Sequence, residues 1–178
     1  NIFRKVGNLI CEVDKIILER DFVQALRMGD DMGYKTGTLL NPKTVREHVL
    51  PRHKDIVDMA HSKGRPFILH SCGNLGEIIE DLIDYVGIDA WHSFQDIILP
   101  VTEAKKKFGD RVAILGGVDL DVLCRAPKDE LEAYCKNVLE VCKKGGGYAF
   151  GTGNSVPDYV PVDQYKFMLE CGRKYGNY

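Results

Sequence analysis

His70 and Cys72 stand two residues apart at the end of a short apolar run, Pro66-Phe67-Ile68-Leu69-His70. In a strand, residues i and i+2 project from the same face, so an imidazole and a thiol there converge on one point. That pair suits a borderline-soft cation such as Zn²⁺, which takes nitrogen and sulfur ligands. Two ligands do not complete a site. The same spacing also fits a Cys–His dyad, or a strand-end histidine bonded to a neighbour beside a buried cysteine. Further polar clusters occur at Asp30-Asp31, His92-Ser93, Gly116-Gly117-Val118-Asp119 and Gly151-Thr152-Gly153-Asn154. Each follows a run that reads as a strand, and carboxyl ends of parallel strands are where α/β proteins bind ligands. The candidate residues are therefore His70 and Cys72 for a metal, Asp119 and His92 for catalysis, and Asp30, Asp31, Asn154 and Ser155 for substrate. All five strand ends are expected to line one cleft. Gly151-Thr152-Gly153 lacks the third glycine of a dinucleotide fingerprint and the Lys-Ser/Thr pair of a P-loop, so it is a weak phosphate signal.

Short apolar runs alternate with longer amphipathic ones, and these elements must position the clusters. Residues 8–19 read as a helix, and Phe22 to Met28 as a strand. Lys43 to Lys63 is helical in pattern but contains Pro51, which predicts a kink or two helices. After the strand ending at His70, Asn74 is placed to cap a helix through Leu75, Ile78, Ile79, Leu82, Ile83 and Val86, stopped by Gly87. Ile88 to His92 is a third strand, Val101 to Phe108 a short helix, and Val112 to Gly116 a fourth strand. Pro127 suits the first turn of a helix to Lys144. There Cys135 and Cys142 share an apolar stripe with Leu131, Val138 and Leu139. Gly145-Gly146-Gly147 stops it before the strand Tyr148-Ala149-Phe150, and Pro161 opens a final helix. The order α-βα-βα-βα-βα-βα predicts an α/β fold of parallel (β/α) units. A doubly wound sheet and part of a (β/α)₈ barrel both fit it.

The chain has 178 residues, 44% of them apolar, which is enough for a core and excludes a disordered tail. With 24 basic and 26 acidic residues the net charge is −2. Nothing in that balance favours nucleic acid or an anionic membrane, and no apolar stretch is long enough to span a bilayer. The six cysteines form no Cys-x-x-Cys pair, so all but Cys72 read as buried thiols of a reducing cytoplasm. The start at Asn1 has neither Met nor the apolar segment of a signal peptide. It reads as the interior of a longer chain.

Leu69-His70-Ser71-Cys72-Gly73-Asn74, Leu115-Gly116-Gly117-Val118-Asp119 and Gly151-Thr152-Gly153-Asn154-Ser155-Val156-Pro157 resemble, in that order, the uroporphyrinogen decarboxylase superfamily. The stretch from Val49-Leu50-Pro51 to Gly64-Arg65-Pro66 does so as well. The resemblance runs from about Asp30 to the C-terminus. It implies a TIM-type (β/α)₈ barrel, of which residues 1–178 would be a single domain holding the C-terminal five strands. One branch removes carboxylates from a tetrapyrrole without a cofactor. The other contains corrinoid-dependent methyltransferases, in which zinc ligands of a His-x-Cys-Gly motif activate a thiol acceptor. His70 and Cys72 match that motif. The branch's second cysteine, after the last strand, is absent, since Asn154 or Ser155 stands there. Asp30, Asp31, His92 and Asp119 are all available as a replacement. The last-loop histidine of the decarboxylases is also missing. The resemblance thus implies methyl transfer involving a corrinoid protein, with tetrapyrrole carboxy-lyase activity or a non-catalytic half-barrel binding module as the alternatives. Five (β/α) units leave edge strands open, so a homo-oligomer is expected, joined through the first or last strand.

Overall fold

The computed structural model describes residues 2–177. The chain is an α/β protein whose five main strands run among helices, with a small separate hairpin. It divides into two compact units, one up to Trp91 and one from His92 onward.

In the first unit, α1 (Ile2–Leu18) precedes β1 (Leu26–Gly29). The helix starts earlier than its apolar spacing suggested, and the strand is shorter. Residues 19–25 form turns and irregular chain, with Phe22 exposed. A two-stranded hairpin, β2 (Gly33–Tyr34) and β3 (Gly37–Thr38), follows β1. Its strands are too short to show an alternating pattern. Pro51 divides the next region into α2 (Pro42–His48) and α3 (Leu50–Ser62), as a proline in a helical run should. Each helix takes its proline in the first turn, where a missing N–H costs nothing. Asn41 caps α2 by accepting a bond from the Lys43 amide at 2.9 Å.

Strand β4 (Phe67–His70) pairs in parallel with β1, setting Met28 opposite Leu69 and Gly29 opposite His70. Asn74 does not cap a helix. Its side chain accepts from the Gly76 amide two residues on, a local turn that delays the helix. Only one turn, α4 (Ile79–Asp81), is α-helical. A π-helical turn, Leu82–Val86, continues it, and Gly87 closes it at φ 81°. The apolar positions named for this segment are nevertheless buried, Ile78 and Leu82 fully. Burial of this face, rather than helical regularity, accounts for their spacing. Strand β5 (Ala90–His92) comes next.

In the second unit, α5 (Val101–Phe108), β6 (Ala113–Leu115) and α7 (Lys128–Cys142) occupy the places their patterns suggested. A short helix, α6 (Leu120–Arg125), intervenes, and its six residues are too few for a periodic signal. Strand β7 (Tyr148–Ala149) runs parallel to β6, and α8 (Val162–Tyr175) packs on α7. Pro127 and Pro161 sit one position before their helices, at the caps. The core of this unit joins Val118, Leu123, Leu131, Cys135, Met168 and Cys171. Burial holds the thiol of Cys135 up at about 12 and that of Cys142 at about 11, so both are packing groups.

Candidate metal and ligand sites

The parallel ladder of β1 and β4 continues past the strand ends. The Asp30 amide donates to the His70 carbonyl at 3.0 Å, and the Gly33 amide to the Cys72 carbonyl at 3.2 Å. The Asn74 amide donates back to the Tyr34 carbonyl at 2.8 Å. The Ser71 hydroxyl, fully buried, accepts from the Met32 amide at 3.1 Å. Segments 30–34 and 70–74 are thereby laced together. Their approach requires two glycines. A Cβ on Gly33 would lie 2.7 Å from the Asn74 nitrogen, and one on Gly73 would lie 2.1 Å from the Gly33 carbonyl carbon.

This lacing places Asp31 against the His-x-Cys pair. Nε2 of His70 and Sγ of Cys72 are 3.4 Å apart. The Asp31 carboxylate accepts from the Cys72 amide through Oδ1 at 2.9 Å. One ligand atom from each of Asp31, His70 and Cys72 lies within 4.8 Å of the other two. A tetrahedral zinc with bonds of about 2.0–2.3 Å separates its ligands by roughly 3.5 Å, so the donor set and its spacing fit that ion. His70 is buried, Cys72 half-buried and Asp31 exposed, which leaves one side open. Of the four replacements considered for the missing cysteine, Asp31 is the one that shares this group.

Asp30 turns elsewhere. Its Oδ2 accepts from Nε2 of His53 at 2.9 Å, and this bond holds the Asp30 carboxyl below its usual range against the opposing effect of burial. His53, on α3, is only 4% exposed, and its Nδ1 has no hydrogen-bond partner among the described residues. An unpaired buried polar atom costs about 1–3 kcal/mol. Both residues line a cavity of about 430 Å³ whose remaining walls are largely apolar, including Phe3, Ile10, Met32 and Leu40.

In the second unit, Nε2 of His92 lies 3.0 Å from the Thr152 carbonyl, over Gly116, where a Cβ would meet the imidazole ring. Asp119 caps α6: its Oδ1 accepts from the Asp121 and Val122 amides at 2.8 and 3.4 Å, and its Oδ2 from the Asp96 amide at 2.9 Å. Three such bonds tie the carboxylate to structure. Asp119 and Asn154 line one cavity, together with Asp96. Asn154 also accepts from the Ser155 amide at 2.7 Å, and Ser155 is exposed. Asp96 was not singled out from sequence. Burial lifts its carboxyl above the usual range, the bond from Tyr134 at 2.8 Å works the other way, and the Asp119 charge adds to the rise. His53 was missed as well. It sits in a helix 17 residues before the motif, and only the fold brings it to Asp30.

The sequence profile of the family "Uroporphyrinogen decarboxylase (URO-D)" matches residues 4–175, and the chain belongs to that family. Uroporphyrinogen decarboxylase of Pelobacter propionicus is 27% identical over 139 residues, covering 76% of this chain and 38% of that protein. The enzyme of Sorangium cellulosum is 29% identical over 129 residues, covering 70% and 34%. The chain thus spans less than two fifths of the length of these relatives. Among solved structures, a methyltransferase from Methanosarcina mazei superimposes with a TM-score of 0.70 at 22% identity, covering 94% of this chain and 48% of that one. It shares the fold. No helix among the described residues is long and apolar enough to cross a membrane.

Proposed function

We propose that this chain carries a zinc site made by Asp31, His70 and Cys72, and that it serves methyl transfer involving a corrinoid protein. The observation behind this reading is the juxtaposition of three donor atoms, oxygen, nitrogen and sulfur, within 4.8 Å. Zinc, when bound, supplies Lewis acidity that lowers the pKa of a coordinated thiol. His70 supplies a borderline nitrogen donor and Cys72 a soft sulfur donor, and Asp31 stands in for the second cysteine. A carboxylate carries the same single charge as a thiolate but, as a harder ligand, donates less electron density to the ion. The Cys72 amide, donating to Asp31, holds that carboxylate in register with the thiol. Gly33 and Gly73 let the two segments close. The partner is a corrinoid-carrying protein, the acceptor or donor is small and thiol-like, and the working compartment is a reducing cytoplasm.

Metal analysis after zinc loading at neutral pH tests this, with cobalt substitution to reveal a thiolate–metal charge-transfer band. One equivalent of metal is expected, together with loss of the band in Cys72→Ser. Asp31→Ala should weaken affinity at least tenfold, since even outer-shell partners are worth about 10–100-fold. Absence of zinc from the loaded protein refutes the reading. The names of the sequence relatives favour a second one, tetrapyrrole decarboxylation, and binding of a porphyrinogen without metal would support it.

A further inference from the structure

We infer that α1 is the contact surface of a homodimer, in which its outer face pairs antiparallel with the same face of a second copy of this chain. The helix carries two stripes at heptad spacing. Gly7, Cys11, Asp14 and Leu18 form one, and it turns inward: Gly7 and Leu18 are buried, and a Cβ on Gly7 would strike the side chain of Arg52 on α3. Ile2, Val6, Leu9, Val13 and Ile16 form the other, at steps of four and three residues, and all of them are between 49% and 71% exposed. Single exposed apolar residues are ordinary on a protein surface, but an unbroken stripe marks an interaction site. Steps of four and three are the pattern by which one helix packs its side chains into another.

Charge selects the occupant and its direction. The helix is nearly neutral, with Arg4, Lys5 and Lys15 against Glu12 and Asp14, and Glu12 borders the stripe, so the face does not suit an anionic lipid surface. Lys5 and Glu12 lie one heptad apart along the same edge of the stripe, and both are exposed. An antiparallel pair can set Val6 against Leu9 of the second copy and Ile2 against its Val13. Lys5 then comes within about 3 Å, measured along the axis, of Glu12 of that copy. Two-fold symmetry repeats the apolar contacts and the ion pair. A parallel pair would set Lys5 and Glu12 beside Ile10 and Ile17 and match no charges. The helix dipoles also oppose one another only in the antiparallel arrangement. The inference rests on α1 alone and not on metal binding.

Sedimentation of the 178-residue chain at about 10–100 µM is expected to show a dimer. Leu9→Glu changes a side chain that the fold leaves exposed, so the far-UV spectrum should be kept. It should weaken dimerisation roughly 100-fold or more, since each dimer loses two buried leucines. Lys5→Glu and Glu12→Lys should each weaken it about 2–30-fold, the range for two surface ion pairs. The double variant should restore it, and an equimolar mixture of the two single variants should form heterodimers in preference to homodimers. A monomeric native chain overturns the inference, as does a dimer indifferent to Leu9→Glu or to the charge exchange. Flotation of a monomeric chain with anionic lipid vesicles would assign the stripe to a membrane surface and overturn it as well.

Discussion

Gly73→Ala is the most informative single change to the candidate metal site. Gly73 has φ +86°, where an alanine costs about 1–2 kcal/mol. Its added Cβ would also lie 2.1–2.4 Å from backbone atoms of Gly33 and Tyr34, which cannot rotate away. Segments 30–34 and 70–74 must separate to admit it. Three hydrogen bonds cross that seam next to the substitution: Gly33 to Cys72, Asn74 to Tyr34, and Cys72 to Asp31. At about 0.5–1.5 kcal/mol each, their loss with the conformational cost comes to roughly 3–6 kcal/mol, a large part of a typical stability of about 5–15 kcal/mol. Gly64→Ala is the control. Gly64 has φ +66° but nothing within 4 Å of its Cβ, so only the conformational cost applies. Thermal melts should show Tm falling by about 6–24 °C for Gly73→Ala and by about 2–8 °C for Gly64→Ala. Zinc titration should show at least a tenfold loss for the first and none for the second, because only the first moves Asp31 away from His70 and Cys72. Equal melting shifts with equal zinc affinities would refute the argument that close approach of these two segments builds the site.

Asp119→Ala removes a cap that accepts three amides and should lower stability by about 1–2 kcal/mol in denaturant melts, with Asp119→Asn recovering most of it. Asp96→Asn probes a carboxyl whose folded-state pKa is raised. The folded form keeps a proton that the unfolded chain has lost, so this group's contribution is present below the ordinary value near 4 and is lost as pH rises through the folded value. The variant should therefore be the more stable protein at neutral pH, with the two melting curves converging in acid. Lys105→Met keeps the buried stem but removes bonds from Nζ to the carbonyls of Gly146 at 2.7 Å and Gly109 at 3.3 Å, and should cost about 1.5–3 kcal/mol in chemical denaturation.

Local chemistry was legible wherever a residue acts on its near neighbours in the chain. The spacing of two at the end of β4 pointed to the meeting of His70 and Cys72, although Cys72 lies past the strand, in the segment that bonds to residues 30–34. Pro51 broke the long helical run for a reason confined to its own ring. The stripe of Leu131, Cys135, Val138, Leu139 and Cys142 showed the buried face of α7, because helical periodicity persists over four turns. Periodicity failed where segments were short or irregular. Asn74 formed a turn with Gly76 where a helix cap was expected, and α6 spans only six residues. Lys105 stands in the sequence run Lys105-Lys106-Lys107, whose composition suggests a solvated face, yet it is buried and bonded to carbonyls. Partners across long loops were decided by tertiary structure alone. Asp31, not Asp30, joins His70 and Cys72, because the β1–β4 ladder carries its register past Gly29 and turns one carboxylate each way. Asp30 meets His53 only because α3 packs beside the end of β1, and nothing in the spacing of residues 30 and 53 encodes that meeting. A side chain's type and its neighbours in sequence determine what it can do. Which of several eligible carboxylates does it depends on contacts between segments some forty residues apart, and only the folded chain makes those.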